Sequence, residues 1–362
     1  MARLSHVQHQ LKENGAILVL APGDDFRYVA DWSPHADERL TFFLINERAA
    51  QLVVPSVNAE DAREHMLPGV AIREFSDQEG PIAALREALT AMANGTETLY
   101  VSDDARFDHG QVLFGLAADH HRLALASTLM GPVRMVKDDE EIRCLKASQA
   151  INDLAMQAAF SAIRDGMTEL ALQDVIRRAY QEYGADREAF IIVAAGANSA
   201  LPHHASDDTV IHPGPVLLDI GCFKDGYASD MTRVAYLGTP DPEFRTIHAI
   251  VREAANAGVA RAQVGAVAET VDAAARHVID SHGYGQYFVH RLGHGIGLSV
   301  HEPPSIMEGN QLALPERAFF SVEPGIYLPA RFGVRLEDVV MLTESGAQIL
   351  SALPLDIHVV AG

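Results

Sequence analysis

The chain has 362 residues, 48% hydrophobic and 21% charged, an ordinary composition that supplies a sizeable core and, at about 100 to 200 residues per domain, room for two domains. Its 28 lysines and arginines stand against 49 aspartates and glutamates, a formal net charge of −21, and so acidic a molecule repels phosphate backbones and anionic lipid, which argues against nucleic acid and membranes as partners. The two cysteines, Cys144 and Cys222, offer neither a disulfide framework nor a paired-cysteine zinc site, so a metal here must be held by oxygen and nitrogen. No apolar run approaches the roughly 20 residues needed to span a bilayer, and the opening MARLSHVQHQLKENG lacks the apolar core of a signal peptide, so the expected location is the cytoplasm.

In chain order, short apolar runs first alternate with helical patterns: AILVL at 16–20, LTFFLI at 41–46, AQLVVP at 50–55 and LYVS at 99–102, an α/β texture. The texture changes near Gly131, which sets expected domains of 1–131 and 132–362. A helix is predicted just beyond, with Asp138 three residues before Glu141 as N-cap and capping partner, helical spacing of Ile142, Leu145, Ile151, Leu154, Ala155, Ala158 and Ala162, and Gly166 as its stop. TELALQDVIRRAYQEYG at 168–184 reads as a second helix and FIIVAAG at 190–196 as a strand. VLLDIGCFKDGYASDMTRVAYLG at 216–238 reads as two strands around a turn at Lys224, Asp225 and Gly226. PEFRTIHAIVREAANAGVARAQ and VAETVDAAARHVIDSHG then read as helices, and the block from FFSVEPGIYL to VRLEDVVML is again strand, turn, strand. No fixed-period repeat is present, although the order helices, strands, helices, strands is loosely duplicated in the C-terminal part.

The chemistry is most legible in acids embedded in apolar strands, where an unpaired carboxylate costs several kcal/mol to bury. A hairpin turning between Lys224 and Asp225 puts Asp219 opposite Asp230; a turn centred near Ala330 puts Glu323 opposite Glu337. Directly opposed residues share a face with Cβ atoms roughly 5 Å apart, and carboxylates so placed repel unless a cation lies between them. Any one of the four read alone is a solvated surface acid. Read together, with Leu217, Leu218, Val322, Val334 and Val339 around them demanding burial, they are not. HRLGHGIGLSVHEPP at 290–304 adds His294 between glycines and His301 seven residues later, while His290 reads as a satisfied core residue. The GxGxG there is only superficially a phosphate loop, because no helix start follows it. Four carboxylates and one imidazole suit two divalent cations, Mn²⁺ above all, with Co²⁺ or Zn²⁺ tolerated; such a pair can share a bridging water and lower its pKa.

These residues resemble the pita-bread metallopeptidases, the family of methionine aminopeptidase, aminopeptidase P, prolidase and their relative creatinase. The resemblance covers residues 132–362 through LLDIG, SDMTR, PHHAS at 202–206, GHGIGLSVHEPP, SVEPGIY and GVRLEDVV, in the family's order. Residues 1–131 resemble the smaller creatinase-type α/β domain of aminopeptidase P and prolidase, which argues against methionine aminopeptidase. The resemblance implies an α+β fold with a C-terminal pita-bread catalytic domain. It implies Asp219, Asp230, His294, Glu323 and Glu337 as metal ligands, with Asp230 and Glu337 bridging. It gives working roles to His203, chosen over the adjacent His204, and to His301, and leaves His204 as a substrate-binding residue. Arg335 holds the substrate's carboxylate or backbone, or pairs with a neighbouring acid. Ser299 stands where the family often has an acid, without touching the ligand set.

The implied reaction is attack of a metal-bridging hydroxide on the carbonyl before proline, with Glu323 accepting the water proton. The implied substrates are Xaa-Pro peptides and the implied assembly a homodimer. With a short chain and no long insertion to wall off the site, the reading leans to aminopeptidase P, with prolidase, restricted to dipeptides, as the alternative. Metal-free creatinase-like chemistry and a non-catalytic peptide-binding module are both disfavoured by the complete ligand set.

Overall fold

A computed structural model describes residues 2–93, 98–117 and 122–361. The chain forms two compact units, Met1–Arg134 and Met135–Gly362. The division falls in the last turn of a helix that runs on through Gly131 and Pro132, three residues beyond the point where the sequence texture changes.

The first unit runs α1 (Ala2–Asn14), β1 (Ala16–Leu20), α2 (Asp24–Ala30), β2 (Phe42–Ile45), β3 (Ala50–Pro55), α3 (Ala59–His65), β4 (Ala71–Phe75), α4 (Pro81–Met92), β5 (Thr98–Val101), α5 (Phe107–Ala117), β6 (Arg122–Leu125) and α6 (Ser127–Met135). Its strands form one mixed sheet in the order β4-β3-β2-β1-β5-β6. The four apolar runs are its four inner strands, buried because both faces are covered; α4 packs Leu85, Ala88 and Met92 against Ile17, Val19 and Leu44. The edge strands β4 and β6 escaped the sequence reading because AIREF and RLAL are short and largely exposed, without an apolar alternation.

The second unit begins with α7 (Asp139–Ala162) and α8 (Glu169–Glu182), followed by β7 (Arg187–Ala195), β8 (Gly214–Lys224), β9 (Tyr227–Ala228) and β10 (Met231–Leu237). Next come α9 (Pro242–Arg261), α10 (Ala268–Ser281), β11 (Gly293–Gly295), β12 (Glu302–Ile306) and β13 (Phe319–Val322). The unit ends with β14 (Gly325–Leu328), β15 (Phe332–Arg335), β16 (Asp338–Thr343), β17 (Gly346–Ile349) and β18 (His358–Val360). One sheet has the order β18-β10-β8-β7, a second β12-β11-β13-β16-β17, and β14-β15 form a separate ribbon. α7 and α8 bury Ile151, Met156, Leu172 and Ile176 against the first sheet's Val193, Leu218 and Ile220. α9 and α10 bury Phe244, Val251, Val271 and Ala275 against Phe320, Val322 and Val340 of the second. The loosely duplicated order is thus two helix pairs, each backing a sheet.

Local chemistry sets the boundaries. Asp138 accepts from the Glu141 N–H at 2.8 Å while Glu141 accepts from the Asp138 N–H at 3.0 Å, the capping box expected at the start of α7. Thr168 caps α8 by accepting from the Ala171 N–H, without the reciprocal bond. The β8 hairpin turns on Asp225 and Gly226, at φ 53° and 82°, the pair of positive φ values that a two-residue loop of type I′ demands and that Asp-Gly supplies. That is one residue later than expected. Asp219 therefore pairs with Thr232, and Asp230 falls two residues along the partner strand, on the same face. The second hairpin has the expected register: Leu328 pairs with Phe332 about Ala330, at φ 58°, and the same register carries Val322 opposite Asp338 in the adjoining ladder. Glu323 and Glu337 sit at the junction between those two ladders.

Candidate metal and active site

A cavity of about 510 Å³ in the second unit is lined by Asp219, Asp230, His294, Glu323, Glu337, His203, His301 and Arg335. Each comes from a different piece of the fold. Asp219 lies in the middle of β8, Asp230 just before β10, His294 at the centre of β11, and Glu323 and Glu337 at the break between ladders. The inner face of the two sheets therefore collects five ligand-type side chains that are far apart in sequence.

Their electrostatics are those of crowded, dehydrated charge. Burial pushes the Asp219 carboxyl up even though Arg335 beside it pulls the other way. Burial, with Asp219 as neighbour, pushes Asp230 well above the usual carboxylate range, and burial with Asp230 and Glu323 nearby does the same to Glu337. Burial also raises Glu323, but the hydrogen bond and charge of His294 outweigh it and hold that carboxyl down at about 2. His294 is raised in turn: burial lowers it, and Glu323 and Asp230 more than reverse this.

The donor set fits divalent cations. One atom each from Asp230, His294 and Glu337 lies within 4.8 Å of the others. Asp219 Oδ1 is buried without a hydrogen-bond partner in the protein. His294 donates from Nδ1 to the Gly295 carbonyl at 3.1 Å, which turns Nε2 toward Glu323 (3.3 Å) and Asp230 (3.7 Å). A backbone carbonyl on one ring nitrogen is how a ligating histidine is oriented and its tautomer fixed. Hard oxygens with a single imidazole suit Mn²⁺-like ions.

Arg335 takes the second of its two expected roles. It is buried, and its fork is spent on Asp219 Oδ2 (2.6 Å), Thr232 Oγ1 (3.0 Å), the Tyr327 hydroxyl (2.8 Å) and the Pro202 carbonyl (3.4 Å). It holds a neighbouring acid rather than a substrate carboxylate. His203 and His301 stand at the cavity wall, the His301 ring edge-on to His294 with centroids 4.2 Å apart. Burial, and the charges of His294 and Arg291, push His301 down to about 4. His204 is a correction: it does not line the cavity but bonds through Nε2 to Glu169 at 2.7 Å.

Three participants, Tyr327, Thr232 and Arg291, are not singled out in the sequence, and a fourth, His290, stands elsewhere than expected. His290, taken for a core residue, is half-buried in the cavity lining, with Nε2 on the Tyr327 hydroxyl at 2.8 Å and Nδ1 donating to the Arg291 carbonyl. Tyr327 accepts from Arg335, and burial pushes its hydroxyl up to about 12. Thr232 donates to Glu337 at 2.7 Å while accepting from Arg335, so it links the two sides of the site. Its position two residues after Asp230 on one strand was the available signal. Arg291 completes the wall as a cation bonded to Ser305 Oγ.

A pocket of this kind has one evident use, to hold divalent cations against a scissile bond, and on two helix-backed sheets it marks a pita-bread metallohydrolase. Residues 143–344 match the model of metallopeptidase family M24, and the chain belongs to that family. Over nearly its whole length it is similar to the Xaa-Pro dipeptidase of Lactobacillus helveticus, 35% identical across 99% of this chain and 98% of that one. Among solved structures it is similar to dipeptidase PepE from Mycobacterium ulcerans, at 33% identity and a TM-score of 0.94 over 100% of this chain and 98% of that one. It is also similar to a prolidase from Thermococcus sibiricus, at 31% identity and a TM-score of 0.92 over 99% and 98%. These likenesses extend through the N-terminal unit. Among the described residues no helix is long and apolar enough to cross a membrane.

Proposed function

We propose that this metallopeptidase is an Xaa-Pro dipeptidase that binds two divalent cations, Mn²⁺ first among them, through Asp219, Asp230, His294, Glu323 and Glu337. The observation that carries the reading is the convergence of those five side chains on one cavity with Arg335 already committed to Asp219. The preference for dipeptides over longer chains, which reverses the lean drawn from chain length, is supported by the full-length similarity to enzymes described as Xaa-Pro dipeptidase and prolidase.

When bound, the cations supply Lewis acidity and a water acidic enough to serve as nucleophile at neutral pH. The chain's own groups do the rest. Glu323, anionic at neutral pH, receives the attacking water's proton and returns it to the departing proline nitrogen, which leaves as a secondary amine and needs one. His301, neutral near pH 7, donates an N–H to the carbonyl oxygen as charge develops there, and His203 does so from the wall at Pro202. Phe190, Ile192, Pro202 and Val300 offer an apolar surface that suits a pyrrolidine ring, which has no N–H to grip. Arg291 suits the free carboxylate that a dipeptide, and no longer peptide, presents immediately after proline.

The test is hydrolysis by the metal-stripped protein, with and without added Mn²⁺, of an Xaa-Pro dipeptide and an Xaa-Pro tripeptide side by side. Metal-dependent cleavage of the dipeptide alone is the expected result. Comparable cleavage of the tripeptide would make the enzyme an aminopeptidase P, and cleavage of neither by metal-loaded protein would remove the peptidase reading.

A further inference from the structure

The two histidines at the cavity wall share a feature that the reaction does not use. His203 and His301 both open onto the cavity, yet the residue that follows each turns away into the protein and meets a buried charged partner. His204 Nε2 meets Glu169 Oε2 at 2.7 Å, with side-chain exposures of 8% and 0%. Glu302 Oε1 meets Lys137 Nζ at 2.5 Å, with exposures of 3% and 1%.

The first pair is the hub of a loop. Besides His204, the Glu169 carboxylate accepts from the Ala195 N–H (2.7 Å), Asn198 Nδ2 (3.0 Å) and the Asp207 N–H (3.1 Å). It thereby gathers the end of β7 and both sides of the turn that presents His203. Glu169, His204 and Asp207 also have the residue types of a metal site. With both carboxylate oxygens already accepting two N–H groups each, however, Glu169 has no lone pair left to give a cation. The second pair ties down the glycine-rich segment. A Cβ on Gly297 would lie 2.6 Å from Glu302 Oε1, so the glycine leaves room for that carboxylate. Lys137 is itself fixed through its N–H on the Arg317 carbonyl at 3.1 Å. Buried charged contacts are poor devices for stability alone, because dehydration offsets most of their attraction, so a role in fixing local geometry is the better account of these two.

We propose that His204–Glu169 and Glu302–Lys137 are positioning pairs, each pinning the residue after a working histidine and so fixing where His203 and His301 stand in the cavity. This rests on the reading of those two histidines as working groups. A displacement of about 1 Å can cost as much as a hundredfold in rate, so a tenfold loss is a fair expectation for either anchor.

The experiment is a pair of mutant cycles on Mn²⁺-loaded enzyme hydrolysing Ala-Pro. In one, His204→Ala is made in the parent and in His203→Ala. In the other, the charge-neutral double replacement Lys137→Met with Glu302→Gln is made in the parent and in His301→Ala. Each anchor variant is expected to lower kcat about tenfold with KM and bound metal changed less than twofold, and to lower it less than twofold further where the histidine is already gone. His204→Gln, whose amide can still donate to Glu169, should recover most of the rate and guards against misfolding of the alanine variant. Equal losses in both backgrounds, or no loss in the parent, would overturn the proposal while leaving the histidines' roles intact. Full kcat in His203→Ala and His301→Ala would remove the histidine reading and the proposal with it.

Discussion

Asp230 and Glu337 occupy the most crowded electrostatic position in the molecule, each buried and each facing other carboxylates. Two like charges 4 Å apart cost about 4 kcal/mol at an effective dielectric near 20, so removing one of these acids and removing a wall histidine must have different consequences. Asp230→Ala or Glu337→Ala is expected to abolish stoichiometric Mn²⁺ binding and lower kcat/KM by roughly a thousandfold or more, the loss of several kcal/mol of cation assistance. His301→Ala is expected to keep the metal and lose roughly a hundredfold in kcat, the range of a positioned proton or hydrogen-bond donor. Metal analysis of the purified variants beside their kinetics checks both. A metal-free Asp230→Ala protein with full activity would refute the proposed ligand set. At this scale the acids were legible because a carboxylate flanked by Leu217, Leu218 or Val334 needs a reason to be buried. The choice between His203 and His204 was less so, since only Glu169, 35 residues upstream, shows which ring turns away. His290 was missed for the same reason: its partner, Tyr327, belongs to another hairpin.

α7 transmits its own stability to the strand that carries Asp219. Its Asn152 donates to the Ile220 carbonyl at 2.8 Å and its Ser148 to the Cys222 carbonyl at 3.1 Å, while the Tyr180 hydroxyl of α8 donates to Asn152 at 2.6 Å. The capping box at Asp138 starts that helix without touching the cavity. Asp138→Ala is therefore expected to cost about 1 kcal/mol, a fall of roughly 2 to 4 °C in the Tm of the second unit, Met135–Gly362, by calorimetry, with kcat unchanged. This cap and the register about Ala330 were both readable, because each depends on residues within a few positions of one another. The first hairpin was misplaced by one residue because apolar alternation fixes which face a strand buries but not where the chain turns. The Asp225–Gly226 pair, which tolerates two positive φ values, carried that information. β12 was not readable as a strand, since EPPSI holds two prolines and gains its pairing only from β11.

For the whole molecule, metal, protons and folding are one linked equilibrium. In the metal-free protein the carboxyls of Asp219, Asp230 and Glu337 titrate above their unfolded values, so the stability they contribute is complete below pH 4 and is lost as pH rises through the raised values. His294, also raised, adds stability that is present below its ordinary pKa near 6.5 and lost above it. Glu323 has the opposite sign, since its carboxyl is held down at about 2 and its contribution disappears only as pH falls toward that value. Between pH 6 and 8 the raised groups therefore dominate, and the metal-free protein should weaken as pH increases. Cation binding has the reverse dependence, because every ligand must be deprotonated and acid competes for the site. The difference in Tm between Mn²⁺-loaded and metal-stripped protein should accordingly widen from pH 6 to pH 8. At free Mn²⁺ a hundredfold above Kd the stabilisation is about 2.7 kcal/mol. With a net charge of −21 the molecule also attracts cations non-specifically. The same scans on Asp230→Ala separate the two effects, because surface binding survives that substitution and is screened by added salt. A Tm difference that is constant across pH, or that persists unchanged in Asp230→Ala, would show that the buried acids are not where the cations bind.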